Sequence, residues 1–60
     1  MKNGNLVRPR RQPLDKIIKP IDLDTLGVIR EIDGVYVRVG WPDGRILTFH
    51  IGDLENLDNN

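Results

Sequence analysis

From Val35 to Ile51, apolar side chains fall at every second position on both sides of a Pro-Asp-Gly. Val35, Val37, Val39 and Trp41 lead into Pro42-Asp43-Gly44, and Leu47, Phe49 and Ile51 follow it. A period of two marks a strand with one face in a core. Pro at the second place of a turn and Gly at the fourth suit a type I turn, with Gly44 at positive φ in a three-residue hairpin loop. That register pairs Trp41 with Arg45, Val39 with Leu47, Val37 with Phe49 and Val35 with Ile51. All of these except Arg45 are apolar, so this face is expected inside. The other face pairs Gly40 with Ile46, Arg38 with Thr48 and Tyr36 with His50, and is expected outside. A slip of one residue would turn the whole core set to water, so the register is strongly specified.

Glu31-Ile32-Asp33-Gly34 carries an earlier Asp-Gly, and two closures compete there. A tight Asp33-Gly34 turn pairs Ile32 with Val35 and aims Arg30 at the core, unless a bulge near Arg30 and Glu31 corrects the phase. A three-residue loop instead pairs Glu31 with Val35 and Ile29 with Val37, turning Ile29 in and Arg30 out. Burying an unpaired guanidinium is costly, which favours the second closure. Arg30, Tyr36 and His50 then form one row across the outward face.

Leu6 to Arg10 reads as the first strand, opening after Gly4 and ending near Pro9. The connection over 11–25 is long for so small a domain. Leu14, Ile17, Ile18 and Ile21 have helical spacing, but Pro13 and Pro20 leave room for one turn at most. Its apolar residues imply that it folds back over one end. Gly52 to Leu57 reads as a one-turn helix capped by Asp53, with Leu54 and Leu57 plugging the core. Residues 58–60 are expected to fray. The reading is one domain over 1–60, with its core between 4 and 57.

Gly4 with Val7, Gly27 with Ile29 and Ile32, Val37 with Val39 and Trp41, Asp43-Gly44, and Phe49 followed by Asp53-Leu54-Glu55 together resemble the SH3-like small β-barrels. The layout is similar to Tudor and KOW domains. It is also similar to small SH3-like accessory subunits of photosynthetic electron-transfer complexes, such as those of photosystem I and of the NAD(P)H dehydrogenase complex, where such a subunit docks ferredoxin. The resemblance implies an all-β fold: a four- to five-stranded antiparallel barrel with a long first loop and a C-terminal one-turn helix.

Chemistry is thinly represented. The chain has no Cys, hence no disulfide framework and no thiolate metal site, which fits a reducing, cytoplasmic compartment. No apolar run is long enough to span a membrane, and the N-terminus lacks the apolar stretch of a signal peptide. His50 is the sole histidine and is expected on the outer face. There is no Ser, and neither Thr25 nor Thr48 has an aligned base. The glycines form no phosphate loop, and Asp15, Asp22 and Asp24 lack the spacing of an EF-hand. No catalytic residue, cofactor or metal is expected.

The net charge is zero, but Lys2, Arg8, Arg10, Arg11, Lys16 and Lys19 stand against Asp15 alone in residues 1–20. Three arginines face eight carboxylates in the remainder. The two halves neutralise each other on folding, or the basic third steers an acidic partner. The expected function is that of a non-enzymatic interaction module or accessory subunit. Its protein partner would meet Arg30, Tyr36, Arg38 and His50 on the outer face, or Trp41 and Arg45 at the barrel mouth, with Arg45 stacked on Trp41. The alternative is nucleic-acid binding through Arg8, Arg10 and Arg11 with Lys16 and Lys19, and with Arg30 and Arg38 flanking Tyr36. Neutrality of the whole chain weighs against it. Sheet edges offer a further route, to a partner strand or a second copy, and a homo-oligomer would stabilise so short a chain.

Overall fold

The hairpin over 36–50 folds in the register that its alternation dictates. A computed structural model of the chain describes residues 1–58. In chain order it contains β1 (Leu6–Pro9), β2 (Gly27–Asp33), β3 (Tyr36–Gly40), β4 (Ile46–His50), a 3-10 turn (Ile51–Asp53) and β5 (Leu54–Asn56). The strands form one antiparallel sheet in the order β4-β3-β2-β1-β5. Across β3 and β4, Val37 faces Phe49, Val39 faces Leu47 and Tyr36 faces His50. The Trp41 N–H donates to the Arg45 carbonyl at 2.9 Å and the Gly44 N–H donates to the Trp41 carbonyl at 3.0 Å. Gly44 has φ of +93°, which a side chain would strain.

The turn between β2 and β3 follows neither expected closure. Its loop is Gly34-Val35, flanked by the pair Asp33 and Tyr36. Gly34 has φ of +60° and Val35 does not lie at positive φ, as a type II′ turn with Gly at its first central position requires. Val35 keeps its expected partner, its carbonyl accepting from the Ile51 N–H at 2.7 Å, but it lies in the loop and is 47% exposed rather than inside. Ile32 then faces Val37 and Glu31 faces Arg38, until a bulge between Ile29 and Glu31 sets Ile29 opposite Val39. Ile29 points inward and Arg30 outward as expected, but a bulge achieves this rather than a longer loop.

All five strands feed one core. Val7, Ile29, Val37, Val39, Leu47, Phe49 and Leu54 are buried, together with Trp41 and with Ile21 from the long connection. One five-stranded sheet, with Trp41 from a turn and Ile21 from the connection, supplies this core. Trp41 meets Phe49 edge to face, with ring centroids 5.7 Å apart. Pro9 is also buried. Its missing N–H would point to the β2 side of β1, but that pairing ends at Val7 and Gly27, so no ladder bond is lost.

The connection over 11–25 forms no helical turn. Gln12 closes it instead: its side-chain amide donates to the Ile21 carbonyl and its oxygen accepts from the Ile21 N–H, both at 2.9 Å. Between these ends the chain runs along the free edge of β4, where the Leu14 N–H donates to the Thr48 carbonyl at 2.9 Å. At the other end of the molecule the cap of the 3-10 turn is His50, not Asp53: the His50 Nδ1 accepts from the Gly52 N–H at 3.0 Å. Leu54 is buried as expected, but Leu57 is 36% exposed because β5 continues as a strand rather than a helix. Asp58 is held, accepting from the Leu6 N–H at 2.8 Å. The expected frayed residues Asn59 and Asn60 lie outside the described residues. Among the described residues, no helix is long and apolar enough to cross a membrane.

Candidate partner-binding site

The turn after β3 builds a rigid corner. Asp43 accepts from the Arg45 N–H at 3.0 Å and from the Arg45 Nε at 2.7 Å. The other arm of the guanidinium reaches the Lys19 carbonyl at 2.6 Å and ties the turn to the long connection. The Asp43 carboxyl sits below its ordinary range. The bond from the Arg45 backbone N–H is the main cause, partly offset by desolvation, and the Arg45 guanidinium and the Lys19 charge add to it. Arg45 is thus engaged by the turn and the connection rather than stacked on Trp41. Trp41, expected on the inward face at the barrel mouth, is 6% exposed, and its Nε1 is buried without a partner among the described residues.

Two grooves flank this corner and share Trp41, Pro42 and Arg45 as their common wall. The first, about 310 Å³, lies against Lys19 to Asp22 and mixes Lys19 and Arg45 with Asp22 and Asp43. The second, about 370 Å³, opens on the outer sheet face, over Leu26, Val28 and Gly40. Its only charged lining residues are Arg30 and Arg45. Gly40 shapes it. A β-carbon there would stand 3.2 Å from the Arg30 Cγ, so the bare glycine lets the arginine stem lie across β3. Leu26 and Val28 remain 40% and 37% exposed beside it. Leu6, Val28, Gly40 and Ile46 are cross-strand neighbours, so this apolar row continues over β1 to β4.

The expected outer row does not form as drawn. Tyr36 and His50 do face each other. However, the neighbour of Tyr36 on β2 is Asp33, because the Gly34-Val35 loop is two residues long, and Arg30 lies further along the strand at the bulge, over Gly40. Arg38 lies between Glu31 and Thr48. The structure brings Arg30 together with Trp41 and Arg45 instead, joining the two surfaces that the sequence kept apart. In the basic cluster, Arg8 is cross-strand from Glu55 and Arg11 lies 3.7 Å from Asp53, while Arg10 is exposed. Lys16 and Lys19 sit on the connection, with only Lys19 beside a groove.

Leu26 and Val28 were not singled out by sequence. The signal was present in the alternation of Val28 with Ile29, which forces one of two adjacent β-branched residues outward. Gln12 and Asp15 left no such signal, because each side chain bonds the backbone of a residue distant in the chain, and Asn5 left none because its distant partner is the side chain of Asn56. No protein-family model matches the chain, and no curated protein and no solved structure matches it either.

Proposed function

We propose that this chain is a non-enzymatic protein-interaction module with an SH3-like barrel layout, and that it binds its partner in the groove over Val28 and Gly40. The strand order β4-β3-β2-β1-β5, with a one-turn link before the last strand, supports the layout. One observation carries the binding reading: an apolar floor of Leu26, Val28, Gly40, Trp41 and Pro42 is bordered by two arginines and no carboxylate. Such a groove suits an extended protein segment that offers an apolar side chain beside an acidic one. Arg and Trp, the residues richest in binding energy at interfaces, form its walls.

The test is a backbone amide titration with two sets of short peptides, one pairing Leu or Phe with Glu and one pairing them with Lys. Acidic peptides are expected to shift Val28, Arg30, Gly40 and Arg45, and Arg30→Glu to reverse the preference. No shift with either set, together with shifts at Arg8 to Arg11 on adding oligonucleotides, would move the reading to nucleic acid. Arg8 and Arg11 each have an acidic neighbour, Glu55 and Asp53, which favours the first outcome.

A further inference from the structure

β4 forms one border of the sheet. Its residues bond to β3 alternately: Leu47 and Phe49 turn toward β3, and Ile46, Thr48 and His50 turn their backbone groups outward. Thr48 is covered at both groups, its carbonyl by the Leu14 N–H at 2.9 Å and its N–H by the Asp15 carboxylate at 2.6 Å. On either side of Thr48, among the described residues, no bond from the connection reaches the outward groups of Ile46 or the N–H of His50.

The cover is narrow in another sense. Leu14 is 55% exposed and Ile18 is fully exposed, so the segment between the Gln12 clasp and Ile21 meets the edge of β4 only at Thr48, while Ile17 packs on the core and Arg45 holds the Lys19 carbonyl. Ordinary edge strands are protected by charged residues or proline within the strand. Ile46-Leu47-Thr48-Phe49-His50 has no Lys, Arg, Asp, Glu or Pro. A short run of strong β-formers without charge is the composition that pairs with another strand when uncovered. The backbone bonds that cover this edge are those of Leu14 and Asp15 to Thr48.

We propose that β4 is a dimerisation edge, and that Leu14 and Asp15 form a strap that closes it in the lone chain. The occupant is the β4 of a second copy. The strand is complementary to itself about a two-fold axis at Thr48. Thr48 then faces the partner's Thr48, a favourable cross-strand pair, and Ile46 faces the partner's His50. No like charges meet. The two sheets join into one, and the outward groups of Ile46 and His50 gain partners. This surface is separate from the groove over Gly40, so the two readings stand or fall independently.

Sedimentation over a wide range of protein concentration tests the proposal. Asp15→Ala removes the carboxylate that holds Thr48 and is expected to tighten dimerisation by about tenfold or more. Adding Thr48→Lys places two ammonium groups against each other on the axis, next to the like charge of Arg38 in each chain, and is expected to return the protein to a monomer. Leu14→Pro, which deletes the other strap bond, carries the same expectation if Asp15→Ala lacks a native amide spectrum. A folded strap variant that stays monomeric, or a dimer indifferent to Thr48→Lys, would overturn the proposal.

Discussion

Gly27 lies so close to the indole of Trp41 that a β-carbon on it would stand 3.0 Å from Cζ3 and 3.1 Å from Cε3, and would also press on Cγ1 of Val39. The first residue of β2 is therefore a glycine for want of space and not for its φ. Gly27→Ala forces Val39 first, and Trp41 with it, to shift in the core, and overpacking of this kind costs roughly 1–3 kcal/mol. The expected result is a lower urea midpoint with an unchanged slope. A midpoint equal to that of the parent chain would mean that Val39 and Trp41 have room to retreat.

Gly40 is the opposite case. The nearest atoms to a β-carbon there belong to the flexible Arg30 side chain, at 3.2 and 3.4 Å. Gly40→Ala is expected to change stability by less than about 1 kcal/mol, as surface substitutions usually do. It should instead lift Arg30 off β3 and weaken binding of the acidic peptides. A large loss of stability would show that Arg30 is held rigidly by its neighbours.

Gln12 binds both backbone groups of Ile21. Each such bond contributes about 0.5–1.5 kcal/mol net, so Gln12→Ala should cost roughly 1–3 kcal/mol. Gln12→Glu keeps an acceptor for the Ile21 N–H but loses the donor to its carbonyl, so its cost is expected to fall between zero and that of the alanine variant. Amide exchange at Ile21 separates the cases: protection should fall sharply for alanine and persist for glutamate.

Legibility in the sequence followed the kind of force involved. Val37, Val39, Leu47 and Phe49 could be placed because burial imposes a period of two on neighbouring residues. Ile29 was placed correctly for a partly wrong reason. The cost of burying Arg30 was sound, but a bulge resolved it, and a bulge changes no residue type that alternation can detect. Val35 shared the period of its neighbours, yet a tight loop removed it from the strand. His50 lies on the outer face opposite Tyr36 as expected, and it also caps the following turn through Nδ1, a role that alternation does not signal. The groove was missed as a unit because Arg30, Gly40 and Arg45 meet only once the bulge has set the register of β2 on β3.

Asp43 offers a prediction in acid. Its carboxylate is favoured by folding, so its pKa in the folded chain lies below the ordinary 3.8. The stability it contributes is present above the unfolded value and is lost as the pH falls through the lowered folded value. Because the Arg45 backbone N–H is the main cause, Arg45→Ala should raise the Asp43 midpoint only in part. Carbon-detected titration of the carboxyl reads this directly. A full return to the ordinary value would assign the shift to the guanidinium instead.

Asn5 is a buried polar residue that joins the two ends of the chain. Its Oδ1 accepts from the Lys2 N–H at 2.9 Å and from the Asn56 Nδ2 at 3.3 Å, and its carbonyl accepts from the Ile29 N–H at 2.9 Å. At 6% exposure, water replaces these bonds poorly. Asn5→Ala keeps the bond to Ile29 but strands the other two donors, and is expected to cost about 1–3 kcal/mol. Asn56→Ala should cost less, since it strands a single donor, the Asp58 N–H that the Asn56 Oδ1 accepts at 3.0 Å, and removes the Nδ2 donor along with its own side chain. The double variant distinguishes a shared contact from two separate effects. Residues in one hydrogen-bond network couple by at least about 0.5 kcal/mol, so its cost should fall short of the sum of the single ones by that margin. Strict additivity would mean that the 3.3 Å contact contributes nothing, and that Asn5 acts through Lys2 alone.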